Sequence, residues 1–295
     1  MNIPEDQQSF NKVGSLRRAP MSSRTLFGRV MDGLIFICVA LALLPLLAVL
    51  IYVIVQGASS INLSVFTQLP PPPNVPGGGF GNAILGTLIM VAIGSLISIP
   101  FGVMAAIYLS EFSSGNIAAW IRFTTNVLSG VPSIIVGVFA YGVVVLAFGF
   151  SGFAGGIALS VLMLPIIVRT TDEALKLVPP ELRQAAVGLG ATNFQTVARV
   201  VLPAALPAII TGTTLAIARA AGETAPLLFT SVSWDFWKAD PFKGPMASLA
   251  VLIYNFAQVP YPNQLALAWA ASLILILLVL LTSISSRLAT ARKVY

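Results

Sequence analysis

Charge along this chain comes in clusters separated by long silent stretches. No charged residue falls between Asp32 and Glu111, between Arg122 and Arg169, between Arg199 and Arg219, or between Lys243 and Arg287. A helix that crosses a bilayer needs about 20 predominantly apolar residues, so these gaps hold two, two, one and one spans. The apolar runs place the six at roughly 32–56, 82–110, 123–148, 154–172, 205–232 and 265–286. The linkers agree. Residues 57–81 contain Pro70 to Pro73 and Gly77 to Gly79, which cannot continue a helix and read as a loop outside the membrane. Gly149 to Gly156 make a short glycine-rich turn. Pro100, Pro132, Pro165 and Pro207 fall inside spans, where neighbouring helices can re-satisfy the freed backbone. They read as kinks, either lining a path or serving packing alone.

Composition agrees with the pattern. AVILMFWYC make up 57% of the 295 residues and charged residues 9%, against about 25% charged in an ordinary soluble domain. With a mean hydropathy of +0.93, the chain is not a soluble monomer. It has no histidine, which excludes Ser-His-Asp chemistry, histidine metal sites and histidine pH switching. Its one cysteine, Cys38, can form neither an internal disulfide nor a zinc cluster. No Gly-x-x-x-x-Gly-Lys-Ser/Thr loop is present, so no ATPase is visible in the chain itself. Neither cofactor, metal nor catalytic residue is expected.

Lysine and arginine set the expected orientation. Lys12, Arg17, Arg18, Arg24 and Arg29 precede the first span, and Arg122, Lys176, Arg183, Arg199, Arg287, Arg292 and Lys293 lie on the same side. The opposite side has only Lys238 and Lys243, with Asp235 and Asp240 nearby. The bias predicts both termini in the cytoplasm, and it accounts for the net charge of +6 without any nucleic acid. The run from Gly33 to Val55 exceeds the 7–15 residues of a signal-peptide core and is read as retained. The expected layout is a tail over 1–31, a six-span domain over 32–286 and a tail over 287–295.

The cytoplasmic loop over about 173–203 carries the first specific pattern. Pro179 and Pro180 can start a helix with Glu181 in its first turn, and Ala185 and Ala186 are small. Gly190 ends that helix, and Asn193 is placed to cap a second one, running to about Val200 and ending at Leu202-Pro203. Small residues on an exposed helix suit a partner's groove, but an amphipathic hairpin touching only headgroups fits the pattern equally.

Gln184-Ala185-Ala186, Gly190 and then Val200-x-Leu202-Pro203 resemble the EAA loop of bacterial ABC-importer permeases. The family's glutamate is Gln184 here, which removes a charge but not a shape. Ile217 to Thr230, IARAAGETAPLLFT, is similar to the A-type permease subunits of phosphate-specific importers. The Thr224-Ala225-Pro226-Leu227-Leu228-Phe229 continuation is the phosphate-type feature, and Pro165 to Arg169 before the loop adds to it. The resemblance covers about residues 160–230 closely. It implies an all-α integral membrane protein with a cytoplasmic coupling hairpin whose Gln184, Ala185, Ala186 and Gly190 meet an ATPase. It also implies a heterodimer with a sister permease, two copies of the ATPase subunit, and a periplasmic phosphate-binding protein that delivers inorganic phosphate. Transport across the inner membrane would be driven by ATP hydrolysed on the partner. Sulfate or molybdate permeases share much of this pattern.

Arg219 and Glu223 form an i, i+4 pair on the expected fifth span, near mid-membrane and facing the protein interior. A buried charge costs about 2.5–3.5 kcal/mol even on the lenient insertion scale. The pair either braces the helix or lines a path where the arginine fork meets an oxyanion. Arg169, near the cytoplasmic end of the fourth span, is explained by position alone, but the family's intramembrane arginines match both sites. A self-contained secondary transporter would bring inverted repeats and more intramembrane carboxylates than Glu223. A membrane-embedded enzyme would need a catalytic cluster that the sequence lacks.

Overall fold

The computed structural model describes residues 23–113 and 115–291. The basic tail up to residue 22 and the last residues from 292 lie outside the described residues. Among the described residues all regular structure is helical. In chain order the helices are α1 (Ser23–Ala58), α2 (Ser64–Thr67), α3 (Gly81–Ile107), α4 (Asn116–Gly130), α5 (Ser133–Ala140), α6 (Leu146–Phe148), α7 (Gly152–Lys176), α8 (Pro180–Gly188), α9 (Asn193–Thr196), α10 (Leu202–Ala221), α11 (Ala225–Thr230), α12 (Leu249–Ala257) and α13 (Pro262–Ala291). Wide π-turns follow α3 (Tyr108–Phe112) and α5 (Tyr141–Val145), and a third joins α9 to α10 (Val197–Val201).

Among the described residues, five stretches are long and apolar enough to cross a membrane: Leu26–Ala58, Gly81–Phe112, Gly152–Lys176, Asn193–Ala221 and Pro262–Leu288. A sixth exists if the bent pair Asn116–Gly130 and Ser133–Phe148 counts as one span. The expected all-α membrane architecture is therefore observed.

The chain divides into two compact units, one ending at Tyr52 and one starting at Val53. The first is the body of α1, along which Ile35, Phe36, Leu44 and Val49 are all exposed. A helix apolar all round its circumference is suited to lipid.

The second unit holds the core. Met90 of α3, Leu159, Met163 and Ile167 of α7, Ala216 and Ala220 of α10, Leu227 of α11 and Val251 of α12 form one buried cluster. α3 and α7 approach closely because glycines line their seam. A Cβ on Gly156 would lie 2.5 Å from Cγ2 of Ile93, and one on Gly102 would lie 2.8 Å from Cγ2 of Ile167. Small residues that let helix backbones approach are the usual packing device where lipid supplies no hydrophobic drive between helices.

Four features depart from the expected spans. The third span, expected as one helix over 123–148, breaks at Val131-Pro132 and turns by 102°. Proline disfavours the helical conformation of the residue before it, and Val131 is extended. The fifth span, expected to run to 232, stops at Ala221, and α11 follows as a separate short helix. Residues 233–264, read as connection, contain α12, capped by Ser248, whose hydroxyl accepts from the Val251 N–H at 3.3 Å. Leu249 and Val251 are buried, and the Leu249 N–H donates to Thr87 Oγ1 at 2.8 Å. The proline-rich loop is folded onto the unit too, with Val65 and Phe80 fully buried and Gln264 Nε2 donating to the Pro71 carbonyl at 3.0 Å.

Candidate functional site

The hairpin is built from local signals. Pro180 opens α8 at its first turn, where its missing N–H costs nothing. The helix closes in a Schellman motif: the Gly190 N–H donates to the Val187 carbonyl at 2.9 Å and the Ala191 N–H to the Ala186 carbonyl at 3.1 Å. Gly190 holds φ +87°, a conformation that favours glycine. The cap of α9 is Thr192, not Asn193 as expected. Its Oγ1 accepts from the Gln195 N–H at 3.3 Å while Gln195 Oε1 accepts from the Thr192 N–H at 2.9 Å. This reciprocal Thr-x-x-Gln box was legible in the sequence. The second helix also does not end at Leu202-Pro203. It passes through the Val197–Val201 π-turn into α10, with Pro203 in the first turn of α10.

The expected docking residues separate. Gln184, Ala185 and Gly190 are exposed, whereas Ala186 is turned inward and buried. Two strongly exposed apolar side chains of the hairpin are ones sequence reasoning passed over: Leu189 at 91% and Phe194 at 71%, flanking the glycine turn. Their signal was available, since two large apolar residues bracket the Gly190 turn in the sequence.

Arg219 occupies the last turn of α10, and Glu223 lies just past the Gly222 cap. The i, i+4 spacing survives the helix end: the Gly222 N–H donates to the Arg219 carbonyl at 3.1 Å and the Glu223 N–H to the Ala220 carbonyl at 3.2 Å. Arg219 Nε is 3.6 Å from Glu223 Oε1, an ion pair longer than a hydrogen bond. The Arg219 side chain is 59% exposed and Glu223 16%. Arg219 therefore does not face the interior of its own chain, as expected, but projects from it, at the edge of the α10 face that buries Gly212, Thr213, Ala216 and Ala220.

Arg169 is exposed on α7 and makes no ion pair among the described residues. It lines a cavity of about 180 Å³ together with Arg122, Asn126, Asp172, Glu173 and Lys176. Asp172, itself buried, takes Arg122 at 3.4 Å and Lys176 at 2.5 Å. α7 and α10 run antiparallel: Met163 packs near Ala216 and Ala220, and Leu175 near Ala205 and Ile209. The backbone of Gly212 sits against Thr170. Seven residues separate Gly212 from Arg219, so the two arginines lie about 10 Å apart along the bundle. They are two levels, not one cage.

A family model described as "Binding-protein-dependent transport system inner membrane component" matches residues 98–294. The chain belongs to this family. It is 44% identical over 84% of its length to the phosphate transport system permease protein PstA of Yersinia pestis, covering 84% of that protein. It is 41% identical to the protein of the same name in Haemophilus influenzae, over 92% of this chain and 96% of that one. The resemblance read from the Gly222-Glu223-Thr224 segment and the hairpin is thus carried by nearly full-length relatives. The fold is also that of solved importer permeases. A chain of a bacterial alginate ABC transporter superposes with a TM-score of 0.65 over 93% of this chain and 98% of its own, at 16% identity. An inward-facing MetNI methionine ABC transporter gives 0.60 over 72% of this chain and 95% of its own, at 22% identity.

Proposed function

We propose that this chain is the membrane permease subunit of an ATP-driven importer of inorganic phosphate. It lines the translocation path with a sister permease and couples to a separate ATPase that docks at the hairpin. A periplasmic phosphate-binding protein delivers the substrate, and both termini lie in the cytoplasm. The observation that carries the reading is the pair of phosphate transport relatives matched over most of their length, joined to an arginine that projects from the chain near the end of an apolar helix long enough to span a membrane. Such a charge needs a protein or aqueous surface to face, and a sister permease across a shared path supplies one.

The residues have distinct roles. Arg219 offers a planar fork of donors to the phosphate oxygens. Glu223 accepts a hydrogen bond from the proton that hydrogenphosphate keeps near neutral pH, and the same carboxylate repels a fully deprotonated dianion. Arg169 is a second station, nearer the hairpin, where the anion is met again. Gln184, Ala185 and Gly190 form the docking face with Leu189 and Phe194, while Ala186 seats the helix against its own chain.

Two experiments test this. Radiolabelled phosphate uptake per assembled complex is measured for Arg219→Gln, Glu223→Gln and the double variant. The double variant is expected to assemble and to carry no phosphate. Near wild-type uptake would make the pair a helix brace. For orientation, Cys38 is replaced and Asn74→Cys or Gly188→Cys is probed with an impermeant thiol reagent in intact cells. Labelling at 74 and none at 188 is expected, and the reverse pattern would invert the topology.

A further inference from the structure

α8 is held to the rest of the chain by little apolar packing. Ala186 is its one buried residue, and Leu182 and Val187 are 44% and 51% exposed. A single side chain replaces that packing. The Arg183 guanidinium donates through Nη2 to Glu111 Oε1 at 2.8 Å and through Nε to Oε2 at 3.4 Å. The same group donates through Nη1 to the Val178 carbonyl at 2.6 Å and through Nη2 to the Leu175 carbonyl at 2.9 Å. One guanidinium on α8 thus ties together the last turn of α7, the linker after it, and the π-turn that ends α3.

Glu111 is the buried half of this pair, its side chain 9% exposed. The π-turn that carries it is pinned on its other side, where Arg122 Nη2 donates to the Leu109 carbonyl at 2.9 Å. A buried carboxylate that loses its only cation is strongly destabilised, so separating the two is costly while moving them together is not. The bidentate fork also fixes angle as well as distance, which a point charge does not.

We propose that Glu111 and Arg183 are positioning residues that form the joint between the docking hairpin and α3. A displacement of α8 by the bound ATPase is passed through the pair to the π-turn, and so to the helix packed along α7 at the centre of the core. This rests on the coupling reading above and adds to it the residues that carry the motion. π-turns inside helices are frequent at functional sites, and here the turn sits where the joint attaches.

The test is made on the assembled complex in proteoliposomes, with phosphate uptake and ATP hydrolysis read from the same vesicles. Glu111→Gln keeps the shape and removes the charge, and Arg183→Lys keeps the charge and removes the fork. Both are expected to assemble and hydrolyse ATP, while phosphate carried per ATP hydrolysed falls by about five-fold or more, the lower end of typical coupling effects. A brace that only supported the fold would reduce the amount of complex and leave this ratio unchanged, and that result overturns the joint. If Glu111→Gln does not assemble, Glu111→Asp is measured in its place. Failure of both to assemble also overturns the joint. If the wild-type preparation contains no ATPase, the coupling reading itself fails, and the joint fails with it.

Discussion

The hairpin and the α3–α7 seam use glycine for opposite reasons. At Gly190 there is no atom within 4 Å of where a Cβ would sit, and the backbone is at φ +87°. At Gly156 the backbone is ordinary helix, and a Cβ would meet Ile93 at 2.5 Å and 2.7 Å. The hairpin needs a conformation, and the seam needs a gap. The difference marks a division of labour: the exposed hairpin is shaped by its own few residues, whereas the core is shaped by what lies across from it.

The largest effect that would break this comparison is expected at the seam. Gly156→Ala should destabilise the assembled protein by about 1–3 kcal/mol through overpacking, and Gly156→Asn by more, since the larger side chain meets the same wall. Thermal unfolding in detergent checks both. At the hairpin, Gly190→Ala should cost about 1–2 kcal/mol of backbone strain, and Gly190→Asn less, because asparagine tolerates the left-handed conformation. An order of Ala and Asn that is the same at both sites would erase the distinction. The smallest effect is at the cap. Thr192→Ala should cost about 1 kcal/mol of hairpin stability while Thr192→Ser stays close to wild type. Hydrogen exchange over α9, compared with exchange in α7, resolves that local change from a global one.

Legibility followed the range of the interactions. The six apolar stretches were visible because each is a long run without charge, and the hairpin was visible because prolines, a glycine and a Thr-x-x-Gln box each act within a few residues. Asn193 was chosen over Thr192 by one position, although the box pointed to Thr192. Other features carried no local mark. α12 is apolar but too short to read as a span, and it is placed by the Leu249 N–H meeting Thr87 Oγ1 across 162 positions of sequence. The fifth span read as continuous because apolar residues resume after Glu223, and only the exposure of Arg219 shows that it projects outward.

The sequence by itself determined that this is a multi-span membrane protein and where its hairpin lies. Those properties depend on runs and spacings along the chain, and lipid enforces them without regard to neighbours. Tertiary structure decided the rest. It buried Ala186 and exposed Leu189, broke the third span at Pro132, separated Arg169 from Arg219 by about two helical turns, and joined Glu111 to Arg183 across 72 positions of sequence. Pairings of that kind depend on which helix faces arrive opposite one another, and that follows from packing side chains in three dimensions, where small residues permit contact and charges must find partners.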